Sequence, residues 1–234
     1  MATSNNSVIA AFSGDKDEAE TQQTVIRRGT SGFDWTEGGD QNDVFVGSAG
    51  GDILIGHGGT DTVDYSASGA AVRVNLATGK GEAGDAKGVT YNDIENVTGS
   101  AHNDTIIGSN ADNVIAGGAG ADSMDGGAGF DLLDYSTSGA SLVASLATGR
   151  VSGGDATGDT ITGFEGIVGT RFNDTISGDG NANLLNGGGG DDSLRGGYGA
   201  DTLVGGEGND VASYFASAEG VTAYLDGRTG VGGE

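Results

Sequence analysis

A glycine recurs every nine residues over most of this chain, and an aspartate or asparagine follows each of these glycines five positions later. Thirteen such units are present: the sixth position is Asp in eleven of them and Asn in two. A short fixed period of this kind indicates a repeat architecture, in which each unit is stabilised by stacking on its neighbours. The units begin at Gly29, Gly38, Gly47, Gly56, Gly99, Gly108, Gly117, Gly126, Gly169, Gly178, Gly187, Gly196 and Gly205.

The composition excludes several classes of protein. Glycine makes up 49 of the 234 residues without a G-X-Y period, which excludes collagen, and the fixed place of one apolar residue in each unit argues against disorder. A net charge of −24 makes nucleic acid and anionic membrane surfaces unsuitable partners. Cysteine is absent, so no thiolate metal site is expected, and the sequence has no apolar run long enough for a membrane span.

A second period of 70 residues contains the first, because the segment 64–70 reappears as 134–140. Each longer unit consists of one nonapeptide array and one linker with alternating apolar positions, which are typical of short strands. The predicted boundaries are 1–28 for a flexible polar leader; 29–64, 99–134 and 169–213 for three arrays; 65–98 and 135–168 for β-rich linkers; and 214–234 for the start of a third, truncated linker-like segment.

Each nonapeptide predicts six turn residues followed by three strand residues. The eighth position is apolar in nearly every unit, as in Ile106 and Leu133, and this supplies one inward side chain per half-coil. Two units would form one coil, and the coils would stack as parallel strands about 4.8 Å apart. We therefore predict an all-β chain, a β-solenoid. We favour one continuous rod that includes the linkers over an alternative in which the linkers fold apart.

Stacking would place the sixth residue of one unit directly beneath the sixth residue two units further along the chain. Calcium takes six to eight oxygen ligands at about 2.3–2.6 Å, so one ion fits between two such turns. Magnesium prefers shorter bonds in a stricter octahedron, and zinc prefers nitrogen or sulfur ligands. Without an ion, the neighbouring carboxylates would repel each other, so we expect calcium binding and folding to be coupled.

Seven calcium sites follow from sixth positions that lie 18 residues apart. Because an amide oxygen is a weaker ligand, a role as plain turn residues stays open for Asn113 and Asn183. The predicted pairs are Asp34/Asp52, Asp43/Asp61, Asp104/Asp122, Asn113/Asp131, Asp174/Asp192, Asn183/Asp201 and Asp192/Asp210.

These units match the consensus G-G-x-G-x-D-x-U-x, in which U is apolar, and the chain closely resembles the RTX (haemolysin-type) repeat family. The resemblance covers residues 29–213. It implies a right-handed parallel β-roll with calcium between the turns. It also implies export by a type I secretion machinery, with folding outside the bacterial cell. The export signal of the family follows the repeats, and residues 214–234 do not resemble it.

No catalytic motif accompanies the repeats, so the chain is not expected to be an enzyme. Two functions are compatible with the sequence. The first is a secreted calcium-binding protein with a structural or adhesive role, whose partner would be a glycan or a cell surface. The second is a calcium-dependent folding and secretion module that is covalently linked to an enzyme or toxin domain.

Overall fold

The structure, a computed structural model, describes residues 25–214 and the strand 230–233. The predicted leader up to residue 24 and most of the predicted segment 214–234 lie outside these residues. The described residues contain no helix with the length and hydropathy to cross a membrane.

Short strands account for nearly all of the regular structure. They are β1 (Val25–Arg28), β2 (Trp35–Glu37), β3 (Asp43–Val46), β4 (Ile53–Ile55), β5 (Thr62–Asp64), β6 (Arg73–Asn75), β7 (Lys80–Ala83), β8 (Thr90–Asn92), β9 (Asn96–Thr98), β10 (Thr105–Ser109), β11 (Val114–Ala116), β12 (Ser123–Gly127), β13 (Leu132–Asp134), β14 (Val143–Ser145), β15 (Arg150–Ser152), β16 (Thr160–Thr162), β17 (Gly166–Val168), β18 (Thr175–Ser177), β19 (Leu184–Gly189), β20 (Ser193–Arg195), β21 (Ala200–Glu207), β22 (Val211–Ser213) and β23 (Gly230–Gly233). Three 3-10 turns are present in the described chain, at Gly84–Ala86, Leu146–Thr148 and Gly154–Ala156.

The strands form two sheets that face each other across the core. Sheet A has ten strands in the order β1-β3-β5-β9-β11-β13-β17-β19-β21-β23. Sheet B has thirteen strands in the order β2-β4-β8-β7-β6-β10-β12-β16-β15-β14-β18-β20-β22. Within the arrays, successive strands of one sheet are parallel and 18 residues apart, as Ile115 pairs with Leu133 and Ile106 with Met124. The predicted all-β parallel roll is confirmed.

The core consists of the inward residue of each half-coil. Because the register is 18 residues, the eighth position of every unit stacks on another eighth position, and each side chain is covered from above and below. Full burial of an aliphatic side chain of this size contributes about 1.5–3 kcal/mol. The buried eighth-position side chains are Phe45, Leu54, Val63, Ile106, Ile115, Met124, Leu133, Ile176, Leu185, Leu194 and Leu203.

Both linkers continue the two sheets, but unequally. Each linker adds one parallel strand to sheet A, β9 or β17, and three strands to sheet B. The middle one of these three, β7 or β15, is antiparallel to its neighbours. The chain reverses at Gly79 and Gly149, whose φ angles of 64° and 61° lie in the left-handed region that glycine adopts readily. The alternating apolar pattern predicted β6 and β14 but not these antiparallel strands.

The roll begins before the predicted array boundary. Strand β1 is parallel to β3, and Arg27 occupies the inward register opposite Phe45. The Nε atom of Arg27 lies 3.3 Å from Oδ1 of Asp43. Residues 25–28, assigned to the leader by the sequence, therefore form the first strand of sheet A, where a cation replaces the apolar inward residue.

Candidate metal centres

The sixth residues of the units lie in turns that are stacked into two columns. Column A comprises the turns that lead into sheet A, and column B comprises those that lead into sheet B. Eleven of the thirteen side chains are buried, while Asp34 and Asp210 at the ends of column B are partly exposed. Column A contains Asp43, Asp61, Asn113, Asp131, Asn183 and Asp201, and column B contains Asp34, Asp52, Asp104, Asp122, Asp174, Asp192 and Asp210.

A hydrogen-bond ladder joins the members of every predicted pair. The backbone N–H of one sixth residue donates to Oδ1 of the sixth residue in the next coil, at 2.7–3.0 Å in all seven pairs. This contact fixes one oxygen of each acceptor carboxylate. The chemistry of a site therefore depends on the second oxygen, Oδ2.

The second carboxylate oxygen is bound in some turns and free in others. In the turns of Asp43 and Asp104, the N–H of the second residue donates to Oδ2. Four buried Oδ2 atoms have no hydrogen-bond partner, and in each of these turns the second residue has a left-handed φ of 72° to 104°. The four free atoms belong to Asp61, Asp122, Asp131 and Asp192.

The first glycine of each turn leaves room for oxygens from two coils. A Cβ atom on Gly99 would overlap with the carbonyl oxygen of Gly117 in the next coil and with Oδ2 of Asp104. The same pair of atoms, a carboxylate oxygen of one coil and a glycine carbonyl of the next, meets at Gly187. The missing side chain therefore creates a pocket lined by oxygen atoms between successive coils.

This donor set fits a hard divalent cation. Among the described residues there is no group of three or more His, Cys, Asp or Glu side chains that could hold a metal ion. Each centre therefore offers at most two carboxylates, and backbone carbonyls or water must complete the ligand shell. Calcium accepts such mixed oxygen shells in a flexible geometry, whereas zinc requires nitrogen or sulfur ligands.

Burial shifts the protonation of these carboxyl groups. It raises the pKa of Asp122 to about 7 and that of Asp61 and Asp192 to about 6 each. Neighbouring carboxylates raise these pKa values further, for example Glu95 beside Asp61. In the absence of a cation, the folded protein therefore retains protons that the unfolded chain releases near pH 4.

This difference predicts how the stability of the metal-free protein depends on pH. Because the folded chain binds more protons than the unfolded chain, its stability falls as the pH rises from about 4 through about 7. In excess chelator, the β signal in circular dichroism at pH 5 should exceed that at pH 8. With calcium the trend should reverse, since protons compete with the ion. A metal-free signal that increases with pH would contradict the assignment.

The two asparagines have a contact that an aspartate could not make. Nδ2 of Asn113 donates to the carbonyl oxygen of Glu95 at 2.6 Å, and Nδ2 of Asn183 donates to that of Glu165 at 3.2 Å. Both acceptors belong to the linker coil that precedes the asparagine. The amide thus joins linker and array directly, without an ion.

Replacement of Asn113 by Asp should make this junction dependent on calcium. The substitution removes the donor to Glu95 and leaves a buried carbonyl unpaired, a loss of about 1–3 kcal/mol. We expect the calcium concentration at the midpoint of folding to rise, as measured by circular dichroism. Asn110→Asp, an exposed change of equal charge in the same unit, should leave it unchanged. Equal midpoints for the two variants would contradict this role.

The sequence reasoning missed three acidic residues that occupy the sixth position in the linkers. The N–H groups of Asp61 and Asp131 donate to Oε2 of Glu95 and Glu165, and that of Asp122 donates to Oδ1 of Asp159, each at 2.8 Å. For Asp159 the signal was present, because the segment 154–162 has glycine first, aspartate sixth and an apolar residue eighth. The glutamates are marked only by an apolar residue two positions later.

Two sheets of short, mostly parallel strands, joined by glycine-rich turns with stacked carboxylates, define a parallel β-roll of the calcium-binding class. The RTX calcium-binding nonapeptide repeat family matches the chain in four copies, at residues 28–66, 98–133, 167–194 and 177–212, and the chain belongs to this family. Its repeats bind Ca²⁺, are typically structural rather than catalytic, and are typical of secreted bacterial proteins. No curated protein matches the chain. The predicted family is confirmed.

Proposed function

We propose that this protein is a secreted, non-catalytic calcium-binding β-roll that folds when calcium binds between its stacked turns and has a structural or adhesive role outside the bacterial cell. The proposal rests mainly on the four buried Oδ2 atoms without a partner. A buried unpaired carboxylate is strongly unfavourable, and a cation removes both the missing contact and the repulsion between neighbouring coils.

About seven calcium ions are proposed, one for each ladder-joined pair, with backbone carbonyls completing the shells. The proposed ligand residues are Asp34, Asp43, Asp52, Asp61, Asp104, Asn113, Asp122, Asp131, Asp174, Asn183, Asp192, Asp201 and Asp210. For the two asparagines, the side-chain amide already donates to the linker, so only the oxygen atom Oδ1 is available to an ion.

The same carboxylates favour a second candidate, a calcium-dependent folding module for type I secretion of a linked enzyme or toxin domain. A chain whose folding needs calcium stays unfolded where calcium is scarce, as passage through a secretion channel requires. The two candidates differ in the partner: a glycan or cell surface for the first, and a covalently linked domain for the second.

The calcium-binding part is tested by equilibrium dialysis of the full chain against radioactive calcium, with magnesium as the competing control. We expect about seven ions with dissociation constants of about 10⁻⁴–10⁻³ M, the range of extracellular calcium modules, and little competition from magnesium. A chain that binds no calcium would refute the proposal. Calcium-dependent binding of the loaded chain to bacterial cells or to immobilised glycans would support the adhesive role, whereas no binding would favour the secretion module.

A further inference from the structure

Each linker contributes one turn to column A, although no nonapeptide is recognised there. The turn before β9 carries Glu95, and the turn before β17 carries Glu165. Both glutamates accept the N–H of the preceding array aspartate, as an array aspartate does in the ladder. Column A therefore continues through the linkers with glutamate in place of aspartate.

The array aspartates at these two junctions are those with a free oxygen. Asp61 and Asp131 are each 0 % exposed, and Oδ2 of each lacks a hydrogen-bond partner. A Cβ atom on Gly56 would overlap with Oδ2 of Asp61 and with the carbonyl oxygen of Asp93 from the linker. Two oxygens, one from the array and one from the linker, thus converge at the same point.

The second junction repeats this arrangement independently. A Cβ atom on Gly126 would overlap with the carbonyl oxygen of Gly163 and would lie 2.9 Å from Oδ2 of Asp131. The backbone of Gly163 has a left-handed φ of 67°, and the equivalent Asp93 has a φ of 50°. Both linkers therefore adopt the same unusual backbone conformation at the residue that directs its carbonyl towards the array.

We propose that a calcium ion binds at each of these two junctions, in addition to the ions between array coils. One site is formed by Asp61, Glu95 and the carbonyl of Asp93. The other is formed by Asp131, Glu165 and the carbonyl of Gly163. The inference rests on the proposed calcium binding and extends it from the arrays to the linkers.

The other edges of the linkers show what a junction without an ion looks like. On the far side of each linker coil, the amide of Asn113 or Asn183 donates to the glutamate carbonyl. In column B of the first linker, the ring of Tyr65 fills the space at Gly47, and its hydroxyl group bonds to that of Tyr91 at 2.6 Å. These junctions are closed by protein groups, whereas those at Asp61 and Asp131 retain a buried free oxygen.

The proposal is tested by counting bound calcium in Glu95→Gln, Glu165→Gln and the double variant of the full chain. A glutamine oxygen can still accept the ladder N–H, so the roll should persist at saturating calcium, as checked by circular dichroism. At a calcium concentration that just saturates the wild type, each single variant should retain one ion fewer and the double variant two fewer. Glu82→Gln is the matched control, because Glu82 is exposed in the first linker and pairs with Arg73.

An unchanged ion count in the folded single variants would overturn the proposal. Loss of the same number of ions in Glu82→Gln would also overturn it, since the effect would then come from net charge alone. A wild-type chain that binds no calcium would contradict the proposed function itself, so the two failures are distinguishable.

Discussion

Removal of calcium is expected to abolish the β-roll at neutral pH. In excess chelator the full chain should lose most of its β signal in circular dichroism, and addition of calcium should restore it in a cooperative transition. Magnesium at the same concentration should not, because its short, octahedral bonds suit these turns poorly.

The size of the effect follows from linkage. An ion present at 100 times its dissociation constant stabilises the folded state by about 2.7 kcal/mol, and several ions act together here. An ordinary domain is stable by only about 5–15 kcal/mol, so loss of a few ions is enough to unfold it. The charge of −24 adds repulsion that only cations offset.

Tyrosine and tryptophan fluorescence provides a second measurement, since Tyr65 and Tyr135 are buried in the folded roll. Both probes should follow the same calcium dependence if folding and binding are one event. A full β signal in excess chelator at pH 8, with buried tyrosines, would refute coupled folding.

Replacement of Gly126 by alanine is expected to produce the second large effect. Its φ lies outside the left-handed region, so alanine can adopt the backbone conformation, and the effect must come from the added methyl group. That group would overlap with the carbonyl oxygen of Gly163 and lie 2.7 Å from Cβ of Asp131. Overpacking of this kind reduces stability by about 1–3 kcal/mol, and the methyl group also fills the space proposed for an ion.

The measurement is urea unfolding at saturating calcium, together with a count of bound ions. Gly139→Ala is the matched control: Gly139 is exposed, has no atom within 4 Å of the added Cβ and has a φ that alanine can adopt. We expect this control to match the wild type in stability and ion count. Equal stability of the two variants would show that coils can separate freely at Gly126 and would contradict the oxygen-lined pocket.

The repeat itself carried most of the prediction of the fold. One apolar residue at every eighth position has only one arrangement that buries it, a stack in which like positions lie on like positions, and the pairing of Ile115 with Leu133 confirms this register. The same arithmetic identified the seven carboxylate pairs as neighbours. Local chemistry is sufficient here because each coil contacts only the coils beside it.

The linkers could not be predicted to the same extent, because they have no period. The antiparallel strands β7 and β15 depend on a chain reversal at Gly79 and Gly149, and glycine is too common in this sequence to mark a reversal by itself. The position of Glu95 in column A depends on which strand pairs with β5, and that partner is 34 residues away.

The sequence alone determined the period, the inward residue and the columns of acidic side chains, because these are properties of one repeated unit. Only the tertiary structure decided which carboxylate oxygens are free. The free oxygen of Asp61 and the bound one of Asp43 belong to the same residue type at the same position of the repeat. They differ because the backbone at the second residue of the turn, and the coil stacked on that turn, decide whether an N–H group or open space faces the carboxylate.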